Sequence, residues 1–294
     1  MTWRQATREE IHAYYTEEFP AYADQLPSFI TADGPKQYAI AFREPHPVRK
    51  DDIPTRDFVR RDTWQTNRAG DRTTPEFTDF DDVLAFIQHP ARNDPLERSQ
   101  YGLADPDLLA KAAPRPDAVY YALDNWERPW VLLVDIDAKD IAKNRASESV
   151  PQPAAEQGDD TTLEAAGIHD ADPAGYPYAF TDIERAIEYG FEVRDLFEED
   201  FDAEETMVMY TGQGVHVYLL DDDPAHYYDE QSREVLNDFL LETYEIPIDP
   251  VVTADRRRVA RLPYSLHADV CSIVQPIESP EFDVHSATPE VIER

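Results

Sequence analysis

The chain has 294 residues, enough for one large domain or two ordinary ones with a sizeable core. It carries 61 Asp and Glu against 27 Lys and Arg, a formal net charge of −34, yet 41% of its residues are hydrophobic, too many for a disordered acidic tail. No apolar run approaches the roughly 20 residues of a membrane helix. The opening Met-Thr-Trp-Arg-Gln does not read as a signal peptide, so a cytoplasmic location is expected. The single cysteine, Cys271, excludes an internal disulfide and a cysteine-rich zinc site.

Residues 8–19 place Ile11, Tyr14, Tyr15 and Phe19 at helical spacing. QYAIAF (37–42) reads as a strand and DFVRRDTW (57–64) as a second, with a proline-bearing loop between. FTDFDDVLAFIQ (77–88) predicts a helix ended by Pro90, and a short helix is expected near 106–112. AVYYAL (118–123) and WVLLVDID (130–137) are predicted strands, the second almost continuously apolar, as a strand covered on both faces should be. Residues 144–178 are small, acidic and proline-rich, and predict a surface insertion or mobile loop within a single domain spanning 1–294. A helix is predicted over 182–199, started by a Thr181–Glu184 capping box, with Ile183, Ile187, Phe191 and Leu196 inward. TMVMY (206–210) and GVHVYLL (214–220) predict strands joined by a tight glycine turn. QSREVLNDFLLETY (231–244) predicts an amphipathic helix with Val235, Leu236, Phe239 and Leu240 inward, and RRVARLP (257–263) an arginine-rich strand. The pattern is mixed α and β around a central sheet.

Three motifs carry chemistry. Asp135 and Asp137 end the apolar strand; on a strand such a pair shares one face, roughly 6.5–7 Å apart. Two carboxylates so placed suit a hard cation such as Mg²⁺ or Mn²⁺, or else are solvated acids at a strand end. Ile136, between them, should face the core. The turn Tyr210–His216 offers Gly212 and Gly214, which let a backbone approach a ligand closely, and His216 on a strand face with Tyr218 and Leu220; an ordinary hairpin with a hydrogen-bonded histidine is the plain alternative. From 250 to 267 the only acid is Asp255, while Arg256, Arg257, Arg258 and Arg261 accumulate. That reads as a phosphate-binding wall or as an arginine patch pairing with the acidic surface.

The local inversion stands out against the overall acidity. Five of the basic residues are lysines, leaving 22 arginines of 27. Acid excess with scarce lysine resembles cytoplasmic proteins of salt-in halophilic archaea, whose self-repulsion is screened at about 1 M salt, where the Debye length is roughly 3 Å. Acidity would ordinarily argue against nucleic-acid binding; in such a background it is a solubility device.

The order of these motifs resembles the small catalytic subunit of archaeal and eukaryotic DNA primases, and more broadly the archaeo-eukaryotic primase superfamily: an apolar strand ending in D-x-D, a glycine turn ending in G-x-H, then Asp249 followed by Arg261-Leu-Pro-Tyr-Ser-Leu-His267. HAYYTEEFP, QYAIAF and FVRRDTW are similar to the N-terminal part of that family, and SIVQPIESPEFD to the segment closing its core. The resemblance implies an α+β primase-polymerase core, a mostly antiparallel central sheet flanked by helices. It implies metal-dependent nucleotidyl transfer from nucleoside triphosphates on a single-stranded DNA template, in DNA replication. Asp135, Asp137 and Asp249 would bind Mg²⁺ or Mn²⁺; Gly212, Gln213, Gly214, His216, Arg261, Ser265 and His267 would form the nucleotide pocket. Arg60, Arg256 and Arg258 would meet template or initiating nucleotide. A primase large subunit or replicative helicase is the implied protein partner; no membrane and no structural zinc are expected.

The family places Ser at the start of the glycine turn and Arg before its last glycine, where this chain has Tyr210 and Gln213, with Thr211 as a substitute hydroxyl. Those departures suggest a diverged, plasmid- or virus-associated member. They also keep in view a catalytically silent primase-fold protein that binds nucleic acid or a replication partner; a repair polymerase of the same superfamily is a further reading. A haloacid-dehalogenase-like phosphatase also begins with a strand ending in D-x-D but needs a later lysine, and none follows Lys143.

Overall fold

The computed structural model describes residues 4–31, 38–42, 57–60, 65–66, 72–73, 116–122, 131–149, 178–221, 228–254 and 259–293. Strands run in chain order β1 (Tyr38–Phe42), β2 (Asp57–Arg60), β3 (Gln65–Thr66), β4 (Arg72–Thr73), β5 (Pro116–Ala122), β6 (Leu132–Asp137), β7 (Thr206–Tyr210), β8 (Gly214–Leu219), β9 (Val259–Arg261), β10 (Leu266–His267), β11 (Ser272–Ile273) and β12 (Gln275–Ile277). Helices are α1 (Arg8–Ala13), α2 (Ser28–Thr31), α3 (Ala138–Ser149), α4 (Phe180–Asp200), α5 (Glu230–Thr243), α6 (Pro250–Ala254) and α7 (Glu290–Glu293). The fold is α+β, and the strand pairings among the described residues are antiparallel. The predicted helices at 77–88 and 106–112 lie outside the described residues, as do Arg256 and Arg258. Two compact units result, one of Met1–Arg4, Trp130–Arg256 and Gln275–Ala287, the other of Gln5–Pro129, Arg257–Val274 and Thr288–Arg294.

The first unit is a four-stranded sheet in the order β12-β7-β8-β6. Val134 and Ile136 of β6 and Val215 and Val217 of β8 are fully buried, as near-continuous apolar strands require. Helix α4 covers β7 and β8 with the stripe Ile183, Ala186, Ile187, Gly190, Phe191, Val193, Leu196 and Phe197. A Cβ on Gly190 would come within 2.7 Å of Val215 Cγ2, so the helix can lie this close only because that residue is glycine. The start of α4 differs from expectation. Its N-cap is Ala179, and Asp182 rather than Glu184 turns back to accept the Ala179 N–H at 2.8 Å. Asp182 is drawn inward because Arg145 of α3 pairs with it at 2.8 Å, so a tertiary ion pair outcompetes the Thr181–Glu184 box. Residues 144–149, expected in the insertion, close α3; 150–177 lie outside the described residues.

Helix α5 also departs from its predicted face. Leu236 and Leu240 are buried as expected and Phe239 is half-buried, but Val235 is 63% exposed. The inner stripe is Arg233, Leu236, Asn237 and Leu240, an i, i+3, i+4, i+7 set with two polar members. Counting apolar residues alone misplaced the stripe, because the Arg233 guanidinium and the Asn237 amide nitrogen each donate to backbone carbonyls inside.

In the second unit β2-β1-β5-β9 form another sheet, with Tyr120 opposite Arg261. The predicted N-terminal helix is α1, capped reciprocally by Thr7 and Glu10, followed by a wider π-helical turn over Tyr14–Glu18 and a 3-10 segment over Phe19–Gln25, with Pro20 at its start. Ile11, Tyr14, Tyr15 and Phe19, at helical spacing in the sequence, are buried. The segment after β9 is held from within the unit. Tyr14 Oη donates to the Tyr264 carbonyl at 2.5 Å, and Tyr15 Oη accepts from Leu266 N at 3.1 Å. These bonds keep Tyr264 at φ 62°, a left-handed conformation unfavourable to a side chain. Cys271 is buried in the turn between β10 and β11.

Candidate active site

The end of β6 positions the site. Asp135 pairs in register with His216 of β8 and Asp137 with Gly214, so Asp135, Asp137 and His216 share a sheet face while Ile136 is fully buried on the other. The strand ends can approach only because residue 214 is glycine: a Cβ there would sit 2.1 Å from the Ile136 carbonyl oxygen. Gly212, at φ 96°, makes the turn, which closes by Thr211 N donating to the Gly214 carbonyl at 3.0 Å. The Gln213 carbonyl accepts from Ala138 N at 3.0 Å, anchoring the turn to the first residue of α3. Tyr210, standing where the resembled family has serine, is buried against Phe282, and its hydroxyl donates to the Gly212 carbonyl at 3.2 Å. It braces the turn from below.

Asp249, far along the chain, joins this pair. Its N–H donates to the Asp135 carbonyl at 2.8 Å, on the edge of β6 that pairs with no strand among the described residues. Its Oδ1 accepts from Val251 N at 2.9 Å and Val252 N at 3.1 Å, capping α6.

Asp135 is 8% exposed, and its Oδ1 is buried with no hydrogen bond; His216 Nε2 stands 3.5 Å away, and His216 Nδ1 lies 3.1 Å from Tyr218 Oη. Burial, reinforced by the charges of Asp137 and Asp249, pushes the Asp135 pKa well above the usual carboxylate range, with Lys139 opposing. Lys139 ion-pairs with Asp137 Oδ2, and Lys143 with Asp140 Oδ1 at 2.7 Å. Burial works against the charged form of Lys139, but the Asp137 carboxylate outweighs it and its pKa rises.

The three acids are thus neighbours, but among the described residues no group of three His, Cys, Asp or Glu side chains has its donor atoms gathered for one ion. Asp137 is turned to Lys139 and one Asp249 oxygen to the α6 amides. The donor chemistry nevertheless fits a divalent cation. A buried carboxylate oxygen lacking a donor, beside two further carboxylates, is an environment short of positive charge.

Of the predicted residues that are described, Arg60, Arg261, Ser265 and His267 lie in the second unit. Arg261 is half-buried on β9; Ser265 and His267 are buried, with Ser265 N donating to the Leu262 carbonyl at 3.0 Å and its carbonyl accepting from Val274 N at 2.9 Å. Arg60 ends β2, opposite Ala39. Sequence reading missed Lys139, although two of only five lysines in the chain stand at 139 and 143, directly after the D-x-D. It also missed the cap made by Asp249, which Asp-Pro before a short apolar run signals.

No family model matches the chain, and no curated protein does. Among solved structures it is similar to the polymerase domain from Mycobacterium tuberculosis Ligase D in complex with DNA, at 13% identity and a TM-score of 0.40, over 95% of this chain and 85% of that one. At that identity and score the likeness says nothing by itself about activity. No described helix is long and apolar enough to cross a membrane.

Proposed function

We propose that the chain, as one catalytic module over 1–294, is a metal-dependent nucleotidyltransferase of the primase-polymerase type, joining nucleoside triphosphates on a single-stranded DNA template. The observation that supports this reading is that Asp137 and Asp249 lie beside the buried, cation-deficient Asp135 carboxylate. Asp135, Asp137 and Asp249 would hold Mg²⁺ or Mn²⁺. Such an ion, when bound, lowers the pKa of a 3′-hydroxyl and stabilises a pyrophosphate leaving group. Asp249 keeps a carboxylate at the β6 edge through its backbone bond to Asp135. Lys139 would release Asp137 as the site loads. His216, held beside Tyr218, would meet phosphate oxygens, and Arg261 and His267 would neutralise charge growing on the β and γ phosphates. Ser265 would support that pocket, Gly212, Gln213 and Gly214 its turn, and Arg60, Arg256 and Arg258 the template or initiating nucleotide.

The test supplies purified protein in molar KCl with Mn²⁺ or Mg²⁺, single-stranded template, labelled nucleotides, and a primer in half the reactions. Incorporation that Asp135→Ala and Asp249→Ala each abolish is expected; none under any metal would defeat the reading. One observation favours a second reading, a catalytically silent binder of nucleic acid or a replication partner: Asp137 and Asp249 already have protein partners. Template binding without incorporation would select it. Extension only of a supplied primer would select the repair-polymerase variant.

A further inference from the structure

The edge of β6 is where the third carboxylate is attached, and the α6 segment that packs there is held by an unusual pair of buried side chains. Arg233 of α5 is 2% exposed. Its Nε donates to the Tyr228 carbonyl at 3.0 Å, Nη1 to the Thr253 carbonyl at 3.3 Å and Nη2 to the Val131 carbonyl at 3.5 Å. One guanidinium therefore spans three backbone segments: the approach to α5, the last turn of α6, and the residue before β6. One helical turn on, Asn237, 3% exposed, donates from Nδ2 to the Pro250 carbonyl at 2.8 Å, at the first residue of α6. Helix α6 has only five residues, too short to be stable by its own hydrogen bonds. It is gripped at one end by Asn237, at the other by Arg233, and tied to β6 by the Asp249 N–H.

Burying a guanidinium and an amide in a helix stripe is costly unless their hydrogen bonds are met, and two leucines would cover an apolar neighbour more favourably. What these side chains do that leucines cannot is fix the 249–254 backbone in register against the strand. Resting on the cation-site reading above, we propose that Arg233 and Asn237 are positioning residues for that site. They clamp α6 to the β6 edge and so hold the Asp249 carboxylate beside Asp135. The side-chain hydrogen bonds described above all go to backbone carbonyls, so both act through the backbone of the capping segment.

The test measures Mn²⁺ binding to the full chain in molar KCl by calorimetry, alongside amide exchange at Val251, Val252 and Thr253. The wild-type chain is expected to bind Mn²⁺. Asn237→Ala should stay folded, weaken Mn²⁺ binding by about 10–100-fold, the range for residues that orient ligands from behind, and speed exchange at the three amides. Arg233→Lys, which keeps the charge but loses the planar fork, should do the same. Leu196→Ala, a core truncation on α4, controls for stability loss alone and should lower the melting temperature with Mn²⁺ affinity unchanged. Folded Asn237→Ala and Arg233→Lys proteins that bind Mn²⁺ as tightly as wild type would overturn the positioning role while leaving the cation site standing. A wild-type chain that binds no Mn²⁺ would overturn both, through the site itself.

Discussion

Replacing Asp135 with Asn keeps the shape of the side chain and removes its charge, which makes it a direct probe of the cation deficit at the end of β6. Without divalent ions the wild-type carboxylate is buried beside Asp137 and Asp249, and its pKa is raised. A raised carboxyl pKa means that the folded state resists ionisation, so above that pKa the group subtracts from stability, and the penalty fades as pH falls through it. Each tenfold change in its ionisation constant corresponds to about 1.4 kcal/mol, or about 3–6 °C in melting temperature for a chain of this size. In chelator at pH 8, Asp135→Asn should therefore melt higher than wild type, with the gap narrowing toward acidic pH. With Mn²⁺ the order should reverse. A wild-type site at one hundred times its dissociation constant gains about 2.7 kcal/mol, or about 5–11 °C, while the variant, having lost a ligand, gains little. Thermal melts in molar KCl with chelator or Mn²⁺, across pH 5–8, read both effects. The reasoning is refuted if the variant melts below wild type in chelator, or if Mn²⁺ stabilises the two proteins equally.

Other substitutions probe separate features of the same region. Gly214→Ala should cost about 3 kcal/mol or more, because its Cβ would lie 2.1 Å from the Ile136 carbonyl oxygen; an unchanged denaturation midpoint would show that β6 and β8 do not meet so closely. Lys139→Gln frees Asp137 from its ion pair and should tighten Mn²⁺ binding, by only about 2–5-fold since Lys139 is partly solvent-exposed; weaker binding would mean that Lys139 helps to build the site. His267→Ala should raise the apparent nucleotide KM far more than it weakens template binding. The opposite pattern, read by steady-state kinetics and fluorescence anisotropy, would remove His267 from the nucleotide pocket.

Much of the site frame follows from local rules. Alternation along a strand puts Asp135 and Asp137 on one face and Ile136 in the core, whatever surrounds them. The stripe Ile183, Ile187, Phe191 and Leu196 is apolar at helical spacing, and it is buried. Gly212 and Gly214 mark a turn because only glycine tolerates the φ at one position and the close backbone at the other. What local rules do not reach is the choice among hydrogen-bond partners distant in sequence. Asp182 caps α4 because Arg145 pulls it inward, and Val235 faces solvent because Arg233 and Asn237 find carbonyls inside. Lys139 turns to Asp137, and Asp249 arrives beside Asp135 through one backbone bond at a strand edge. Most buried polar groups are met by a partner, and where partners wait is a property of the packed chain. Residue types and spacing therefore determined which side chains could take part in the chemistry, and tertiary packing decided which of them meet.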